Sequence, residues 1–468
     1  MKKRKMPANR TYPTVPRRWT RWAATIPGMC LIVFVFSVLL YINTLGNEFV
    51  WDDRTLVVEN ADIRTLDWPT VGRLFTTHYW EITGKPGGLY RPLSALSFYL
   101  DYRLYGKDPR GYHLTNVILN GLVCLLAFLF ILQLFGSKLT ALVTALIFAS
   151  IPLHTENVAW VAGRTDLMAT LFMLVSLQSY AWWRRSGAVV GLVLSVLAFV
   201  AAVLAKEFAL VLPPIVVLLE LGPFPLLRRE EETSKPRVIL TTLAFFGIAA
   251  LFFAIRKNIL GSSVHFFEPF ATGLIDTAAL SLSILAHYCY KLLFPFILNA
   301  ESEFPTPDSF WNLHTLIGLA VIALAVCGVY RWRRRGEIVL GASIFAIGLA
   351  PVLNVFPITE VSAERFLYFP SLGFALVVAV LFVGGIRRRP EIFTGTLVLL
   401  LVAFGTRTYM RNFDWRNEFT LFRHTVAVAD DNARAHLNLG NVHYRAGRHH
   451  QALAEYRQAI EIDPNYAQ

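Results

Sequence analysis

The chain has 468 residues, of which 55% are hydrophobic and only 16% charged, and its mean hydropathy is +0.48. A soluble domain carries about a quarter charged residues, so the composition excludes an ordinary soluble protein, and 35 Phe, 17 Tyr and 11 Trp exclude a disordered or fibrous one. The net charge of +12 does not indicate nucleic-acid binding, because the basic residues form short clusters between apolar runs, as in cytoplasmic loops.

The N-terminal residues 1–24 are strongly basic and precede an apolar run over about 26–45. No small-residue cleavage motif closes this run, and it is longer than the apolar core of a usual signal peptide. We predict an uncleaved first membrane span whose basic end, residues 1–24, lies in the cytoplasm.

Further apolar runs follow along the chain, and each predicts a helix. They lie at about 114–135, 139–153, 158–183, 188–205, 207–222, 237–259, 276–298, 313–330, 338–356, 366–386 and 391–410. If every run crossed the membrane, the basic clusters at 331–335 and 387–389 would lie outside, opposite those at 184–185 and 228–229. We therefore predict that the least uniform run, 276–298, is interfacial or re-entrant.

The resulting fold is all-α, with about eleven spans in a membrane domain at 25–410, the N-terminus inside and the C-terminus outside. The four cysteines, Cys30, Cys124, Cys289 and Cys327, lie in or beside apolar runs without metal-ligand or CxxC spacing, so we interpret them as packing residues.

This topology gathers polar residues on the extracytoplasmic face. That face receives the long first loop at 46–113, the stretch 260–312 with Asn299–Glu303, and short loops containing His154–Glu156, Lys206–Glu207 and 359–365. A membrane anchor needs no such convergence of acids and bases, whereas a catalytic or transport site does.

The first loop supplies two acids and an arginine. Asp52 and Asp53 follow the first span directly, and Arg91 precedes a helix-starting proline near the end of the loop. The acids are either solvated loop residues or a general base at the membrane surface. In an extended segment adjacent side chains point in opposite directions, so we predict that only one acid faces a site. The alternative for Arg91 is a side chain that extends to the interface between membrane and water.

The segment 151–166 contains His154, Glu156, Arg164 and Asp166. Arg164 and Asp166 begin a span, where ionisable residues are costly and usually mark a functional cavity. Since residues two apart on a helix do not face each other, each needs a partner elsewhere. His154 and Glu156 without a clear third ligand make a weak metal site.

A second arginine motif, Glu364–Arg365, stands at the mouth of a later span. Its guanidinium suits two-point binding of phosphate, although an interfacial anchor is the alternative. The chain lacks a phosphate-binding GxxxxGK[ST] or GxGxxG motif in strand–helix context, so nothing supports nucleotide hydrolysis.

The C-terminal segment 411–468 is polar and helical in period. Leu439-Gly440, Ala452, Tyr456, Ala459 and the closing Pro464 fit a tetratricopeptide repeat, with His436 and His443 replacing the usual aromatic positions. Trp415, Glu418 and Phe422 are typical of a preceding half-repeat. One repeat cannot bury its own faces, so either the chain continues or the repeat packs on the membrane domain or a partner.

These segments together resemble the transmembrane and tetratricopeptide-repeat-containing O-mannosyltransferases and their bacterial relatives, within the C-type membrane glycosyltransferases. The matching stretches are FVWDD, YRPLS, HTENVAWVAGRTD, VSAERFLYFPSLGF and the repeat, in the family's order. The resemblance implies a membrane enzyme that transfers a sugar, such as mannose, from a polyprenyl-phosphate donor to an acceptor hydroxyl, with inversion.

The resemblance also implies residue roles. Asp52 is the expected general base, and Asp53 stands where related protein O-mannosyltransferases have a glutamate. Arg91, Arg164 and Arg365 would bind the donor phosphate, and the other expected substrate-binding residues are His154, Glu156, Asp166 and Glu364. No cofactor is expected, and a divalent metal is not favoured.

Two other functions stay open at this stage. A lipid or glycan transporter would use intramembrane charges along a path, although it should then show a site near the midplane and broken helices in both halves. An anchor for a repeat scaffold would not need Arg164 and Asp166. For an enzyme we expect the inner (plasma) membrane as location, with the site and the repeat outside, and an acceptor protein or glycan recruited by the repeat.

Overall fold

The computed structural model describes residues 25–81, 88–224, 235–261, 273–301, 304, 307, 309–355, 358 and 360–464. The basic tail at 1–24, the cluster Arg228-Arg229, and Ser302, Glu303 and Thr359 of the polar loops lie outside these residues. Within them the regular elements are helical and no β-strand occurs. This confirms the all-α fold class.

The first half of the membrane domain follows the predicted apolar runs closely. In chain order its helices are α1 (Ile26–Tyr41), α2 (Trp68–Thr76), α3 (Pro92–Tyr105), α4 (Pro109–Phe135), α5 (Lys138–Ser150), α6 (Thr155–Ala159), α7 (Arg164–Ser186), α8 (Val189–Ala205) and α9 (Leu212–Leu221). Helices α2 and α3 belong to the first loop, where a π-turn over Arg54–Val58 also lies.

The second half and the C-terminal segment complete the chain. They comprise α10 (Lys235–Leu260), α11 (Leu274–Leu293), α12 (Leu313–Arg331), α13 (Gly336–Leu349), α14 (Pro370–Ile386), α15 (Pro390–Arg411), α16 (Glu418–Val428), α17 (Ala433–Arg445) and α18 (His449–Ile462). Side-chain caps fix several helix starts: Ser137 accepts a hydrogen bond from the Thr140 amide, and Asn417 forms a capping box with Thr420.

Several helices are long and apolar enough to cross a bilayer, so the chain is a multi-span membrane protein. Five meet both criteria within the described residues: Ile26–Gly46, Pro109–Phe135, Val238–Leu260, Leu313–Arg331 and Pro390–Arg411. The pair α5 with Pro152–Ala159 meets them as one span bent by 54°, and α8, Gly336–Val352 and α14 are shorter apolar helices. The count of eleven stays a prediction.

Small residues allow the helices of the second half to approach closely. A Cβ on Gly341 of α13 would lie 2.8 Å from the Gly373 carbonyl oxygen of α14, and one on Gly318 of α12 would lie 2.2 Å from the Leu282 carbonyl oxygen of α11. Such contacts replace the hydrophobic driving force that is missing between helices in lipid. The run at 276–298 is thus helical as far as Leu293, in α11, which packs along α12. That this run does not cross the membrane stays a prediction.

The C-terminal ends of α1 and α15 lie together. Asn412 donates a hydrogen bond to the Leu40 carbonyl (2.9 Å), Asn43 donates to that of Tyr409 (2.9 Å), and the Glu48 amide donates to that of Arg416 (2.8 Å). If both helices cross the bilayer, they cross it in the same direction, so the number of crossings is odd. The first loop and the tetratricopeptide repeat therefore share one face of the molecule.

We predict that this shared face is extracytoplasmic, because an odd number of spans then leaves the basic clusters inside. A reporter that is active only outside the cytoplasm should be active when fused after Gln468 and inactive when fused at the N-terminus. The same fusion placed after Arg389, in a predicted cytoplasmic loop, is the matched control. A cytoplasmic C-terminus would contradict both the topology and the outward-facing site.

Candidate active site

The segment Val50–Asp53 at the start of the first loop is held in an unusual backbone conformation. Trp51 has a φ of 55°, in the left-handed region that a non-glycine residue occupies at a cost of about 1–2 kcal/mol. Its indole stacks on Trp160 at 5.1 Å, with 22° between the rings, and meets Phe422 of α16 edge-on at 6.3 Å. Packing between the first loop, the 151–166 segment and helix α16 therefore fixes the position of the two acids.

Asp53 is buried and both of its carboxylate oxygens are occupied. Oδ2 accepts a hydrogen bond from the Val50 amide (3.1 Å) and Oδ1 accepts one from the Ala162 amide (2.8 Å). Burial raises the pKa of Asp53 to about 8, and these two bonds oppose the rise. A raised pKa often marks a catalytic carboxyl, but this carboxyl does not reach the surface. Its contacts favour a structural role, joining the first loop to residue 162.

Asp52 is half-buried and lies on the accessible side of the same turn. Its charge acts on the neighbouring Asp53 and on the Tyr79 hydroxyl. The two acids therefore differ in exposure, as expected, but not because the segment is extended. Asp52 and Asp53 begin a helical turn instead of an extended segment, and the left-handed Trp51 sets their directions.

Tyr79 and Arg91, both from the first loop, pack against each other near Asp52. The Arg91 guanidinium lies 5.9 Å from the centre of the Tyr79 ring and binds Glu207 through Nε (2.9 Å) and Nη2 (2.5 Å). Tyr79 is 7% exposed, and its hydroxyl has no hydrogen-bond partner among the described residues. A small cavity borders both residues. A buried hydroxyl without a partner beside an arginine is suited to bind a polar ligand.

Arg164 and Asp166 each find a partner on another element, which confirms that expectation. Arg164 is wholly buried and forms an ion pair with Asp101 of α3 (2.6 Å), while Asp166 pairs with Lys206 (2.7 Å). Arg164 also donates to the Asn116 side chain (3.0 Å). These contacts enclose Arg164, so the geometry favours a structural role over phosphate binding. Asp166 keeps one carboxylate oxygen unpartnered within the described part of the chain.

Arg365 lies in the later part of the chain and contacts the 151–166 segment. Its guanidinium binds Glu156 through Nη1 (2.5 Å), and its backbone amide donates to the same carboxylate (2.9 Å). The guanidinium also lies 5.8 Å from the Trp160 ring centre, and 15% of the side chain is exposed. Glu156 is fully buried, so it serves to orient Arg365, whose side chain reaches the accessible surface.

His154 and Glu364 lie deeper. The His154 ring packs 4.7 Å from Phe148 and 4.6 Å from Tyr368, and its Nε2 forms a hydrogen bond with the Ser371 hydroxyl (2.8 Å). Glu364 accepts hydrogen bonds from the Asn299 amide (2.5 Å) and from Lys291 (3.3 Å). Both are buried, which places them behind the site and favours support of Glu156 and Arg365 over direct contact with a substrate.

The described residues contain no group of three His, Cys, Asp or Glu side chains that could hold a metal ion. His154 and Glu156 in particular are turned to different partners, Ser371 and Arg365. The cysteines of the described segments are unpaired. Independence from metal stays a prediction.

The candidate residues surround one region of the shared face. Trp160 contacts both Trp51 and Arg365, while the charge of Asp166 acts on Arg365 and on Arg91. Arg91 in turn lies against Tyr79, on which the charge of Asp52 acts. Trp51, which adjoins Asp52, and the Arg365 guanidinium thus both lie against Trp160.

Sequence reasoning missed the aromatic residues that build this site. Trp51, Trp160 and Trp415 form a stack, with Trp160 and Trp415 6.2 Å apart, and Tyr79 supplies the unpartnered hydroxyl. The signal was present, since each Trp stands in a segment singled out for its charged or repeat residues. An interfacial aromatic belt accounts equally well for such residues in a sequence.

The repeat packs on the membrane domain, as one of the alternatives left open proposes. Asn432 donates to the Glu301 carbonyl (3.2 Å) and Asn438 to its carboxylate (2.9 Å). Within the repeat, the Tyr456 ring packs against Gly440, where a Cβ would come within 2.5 Å of it. The predicted half-repeat is helix α16, and Trp415 precedes it, buried beneath Trp160.

Comparisons with known proteins agree with this architecture. A tetratricopeptide repeat family model matches residues 433–466. Protein O-mannosyl-transferase F38B6.6 of Caenorhabditis elegans is 27% identical over 94% of this chain and 63% of its own length. Human protein O-mannosyl-transferase TMTC1 is 28% identical over 94% of this chain and 56% of its length. The chain spans between half and two thirds of these relatives.

Among solved structures, one similar chain is the archaeal oligosaccharyltransferase AglB of Archaeoglobus fulgidus, in complex with an inhibitory peptide and a dolichol-phosphate. The match covers 84% of this chain and 56% of that one, at 15% identity and a TM-score of 0.47. The fold and site define a multi-span helical membrane protein with acidic and arginine side chains gathered next to helix α16. Its relatives in sequence are named protein O-mannosyl-transferases, and this chain itself matches a tetratricopeptide repeat, which together confirm the resemblance seen in the motifs.

Proposed function

We propose that the protein is a membrane glycosyltransferase that transfers a hexose, with mannose as the first candidate, from a polyprenyl-phosphate donor to a serine or threonine hydroxyl. The observation that carries the proposal is that Trp160 contacts both Trp51, the neighbour of Asp52 in the chain, and the Arg365 guanidinium. The names of the relatives support the choice of sugar and acceptor. The lipid tail of such a donor explains why the site lies at a membrane surface.

In this reaction the acceptor oxygen forms a bond to the anomeric carbon while the bond from that carbon to the phosphate oxygen breaks. Asp52 takes the hydroxyl proton as the bond forms, and the electron pair of the broken bond leaves with the phosphate toward Arg365. General-base catalysis of this kind contributes about 10²–10⁴ in rate. A single displacement without a covalent enzyme intermediate inverts the configuration at the anomeric carbon.

A transporter or flippase is less well supported by the packing of the charged residues. The ionisable groups within the helices pair with one another, as Arg164 does with Asp101, Asp166 with Lys206, and Arg184 with Glu220. Paired charges stabilise the helix bundle but do not line a path. Helix α16, the half-repeat that precedes the repeat, lies against the proposed site through Phe422, which suits recruitment of an acceptor protein on the extracytoplasmic face of the plasma membrane.

The purified full chain should transfer mannose from a polyprenyl-phosphate mannose to a serine- and threonine-containing peptide, because the proposed site holds both the base and the phosphate ligand. Mass spectrometry would detect the product, and NMR should show an anomeric configuration opposite to that of the donor. We expect transfer to persist in the presence of a chelator. Movement of the donor across vesicle membranes without any glycosyl product would contradict the proposal in favour of a flippase.

A further inference from the structure

Arg434 of the repeat binds two acids of the membrane domain. Its Nη1 and Nη2 donate to Oε1 and Oε2 of Glu360 at 3.1 and 3.0 Å, and its Nε lies 3.2 Å from Oε1 of Glu301. A planar two-point pair of this kind fixes both distance and orientation. The repeat thus determines where the Glu360 carboxylate lies.

Glu360 precedes the proposed phosphate ligand, Arg365, by five residues in the segment that leads into the Glu364–Leu367 turn. Its negative charge stabilises the charged form of the Arg365 guanidinium. Arg365 already carries one carboxylate partner, Glu156. A second carboxylate on the same guanidinium would compete with a phosphate for its remaining donors and would repel the phosphate.

We propose that Arg434 is a positioning residue for the transfer reaction, which holds Glu360 away from Arg365 and so keeps that guanidinium available to the phosphate of the lipid-linked donor. The inference rests on the proposed function. It assigns the repeat a part in donor binding. If the repeat moves away, the Arg434–Glu360 ion pair breaks and Glu360 can pair with Arg365.

The alternative role for Arg434 is simple attachment of the repeat, and the two roles predict different rescue. If Arg434 only attaches the repeat, neutralising Glu360 in the Arg434 variant cannot restore donor binding. If Arg434 restrains Glu360, a neutral residue at 360 needs no restraint. Asn432 and Asn438 also hold the repeat to Glu301, so the repeat keeps contacts when Arg434 is replaced.

The test compares Arg434→Gln, Glu360→Gln and the double variant in the full chain, with Arg457→Gln as matched control, since Arg457 is an exposed arginine on α18. Couplings between contacting charged residues correspond to roughly 2- to 100-fold effects. We expect Arg434→Gln to raise KM for the lipid-linked donor at least about fivefold with little change in Tm. Glu360→Gln and the double variant should lie near wild type, as should the control.

An unchanged donor KM in Arg434→Gln would overturn the inference, and so would a raised KM that Glu360→Gln does not rescue. Native mass spectrometry can measure how tightly polyprenyl phosphate binds to wild type and to the same four variants. This measurement separates the inference from the proposed reaction. If wild type binds the lipid but transfers no sugar, the proposed function fails. The order of the lipid affinities still tests the role of Arg434 in that case.

Discussion

Replacing Asp52 with asparagine is expected to lower the rate of sugar transfer by about 10²- to 10⁴-fold, the contribution of general-base catalysis. Asparagine keeps the size of the side chain but cannot take up the acceptor proton. Because Asp52 is half-buried on a turn held by the Trp51–Trp160 stack, the change should leave expression, Tm and lipid binding close to wild type. Initial rates at saturating donor and acceptor would measure the effect.

Asp53→Asn is the matched control for this variant. The asparagine can accept through one oxygen only, so either the Val50 or the Ala162 amide loses its partner, at a cost of about 1–3 kcal/mol in stability. We expect a lower Tm, with the rate per folded molecule reduced much less than in Asp52→Asn. The reverse pattern, an inactive Asp53→Asn beside a nearly normal Asp52→Asn, would show that Asp53 is the base. Full activity in both would contradict the mechanism.

Arg365→Lys should lower transfer by roughly 10²- to 10³-fold, the effect of removing one donor aimed at developing negative charge. Lysine can keep the ion pair with Glu156, and the backbone amide of residue 365 still donates to that carboxylate. It loses the planar fork that binds an anion at two points while Glu156 is engaged. Folding should therefore persist, as judged by Tm.

The kinetic parameters of Arg365→Lys distinguish the two roles of this arginine. If its guanidinium binds the leaving phosphate, kcat falls together with kcat/KM for the donor, because the phosphate gains charge in the transition state. Arg457→Lys, an exposed replacement of the same kind, should have no effect. Near-normal turnover in Arg365→Lys would leave Arg365 with a structural role as the partner of Glu156.

The helices of the membrane domain could be predicted from the sequence because an apolar run of this length has few other solutions. The predicted run at 114–135 lies within α4, and that at 391–410 lies within α15. The charge argument also predicted that Arg164 and Asp166 have separate partners. It could not predict that these are Asp101 and Lys206, since pairing between helices depends on their packing and has no period in the sequence.

Two features of the site lay beyond sequence reasoning for a physical reason. The left-handed Trp51 depends on Trp160 and Phe422, which are distant in the chain, and no local pattern predicts a backbone conformation that distant packing maintains. The position of the repeat was likewise open, because its own residues satisfy the repeat pattern wherever it packs. Glu301 and Glu360 settle that position only once the membrane domain is folded.

The contact between Trp51 and Phe422 has a consequence for biosynthesis. The nearby hydrogen bond from Asn47 to the Asn412 carbonyl joins residues 365 apart in the chain. At translation rates of about 5–20 residues per second, roughly 20–70 s separate the synthesis of these partners. During that interval the Trp51–Trp160 stack lacks its contacts with Phe422 and Trp415. The proposed site is therefore incomplete until α16 has been synthesised, and a chain that ends before α16 would insert into the membrane without this contact.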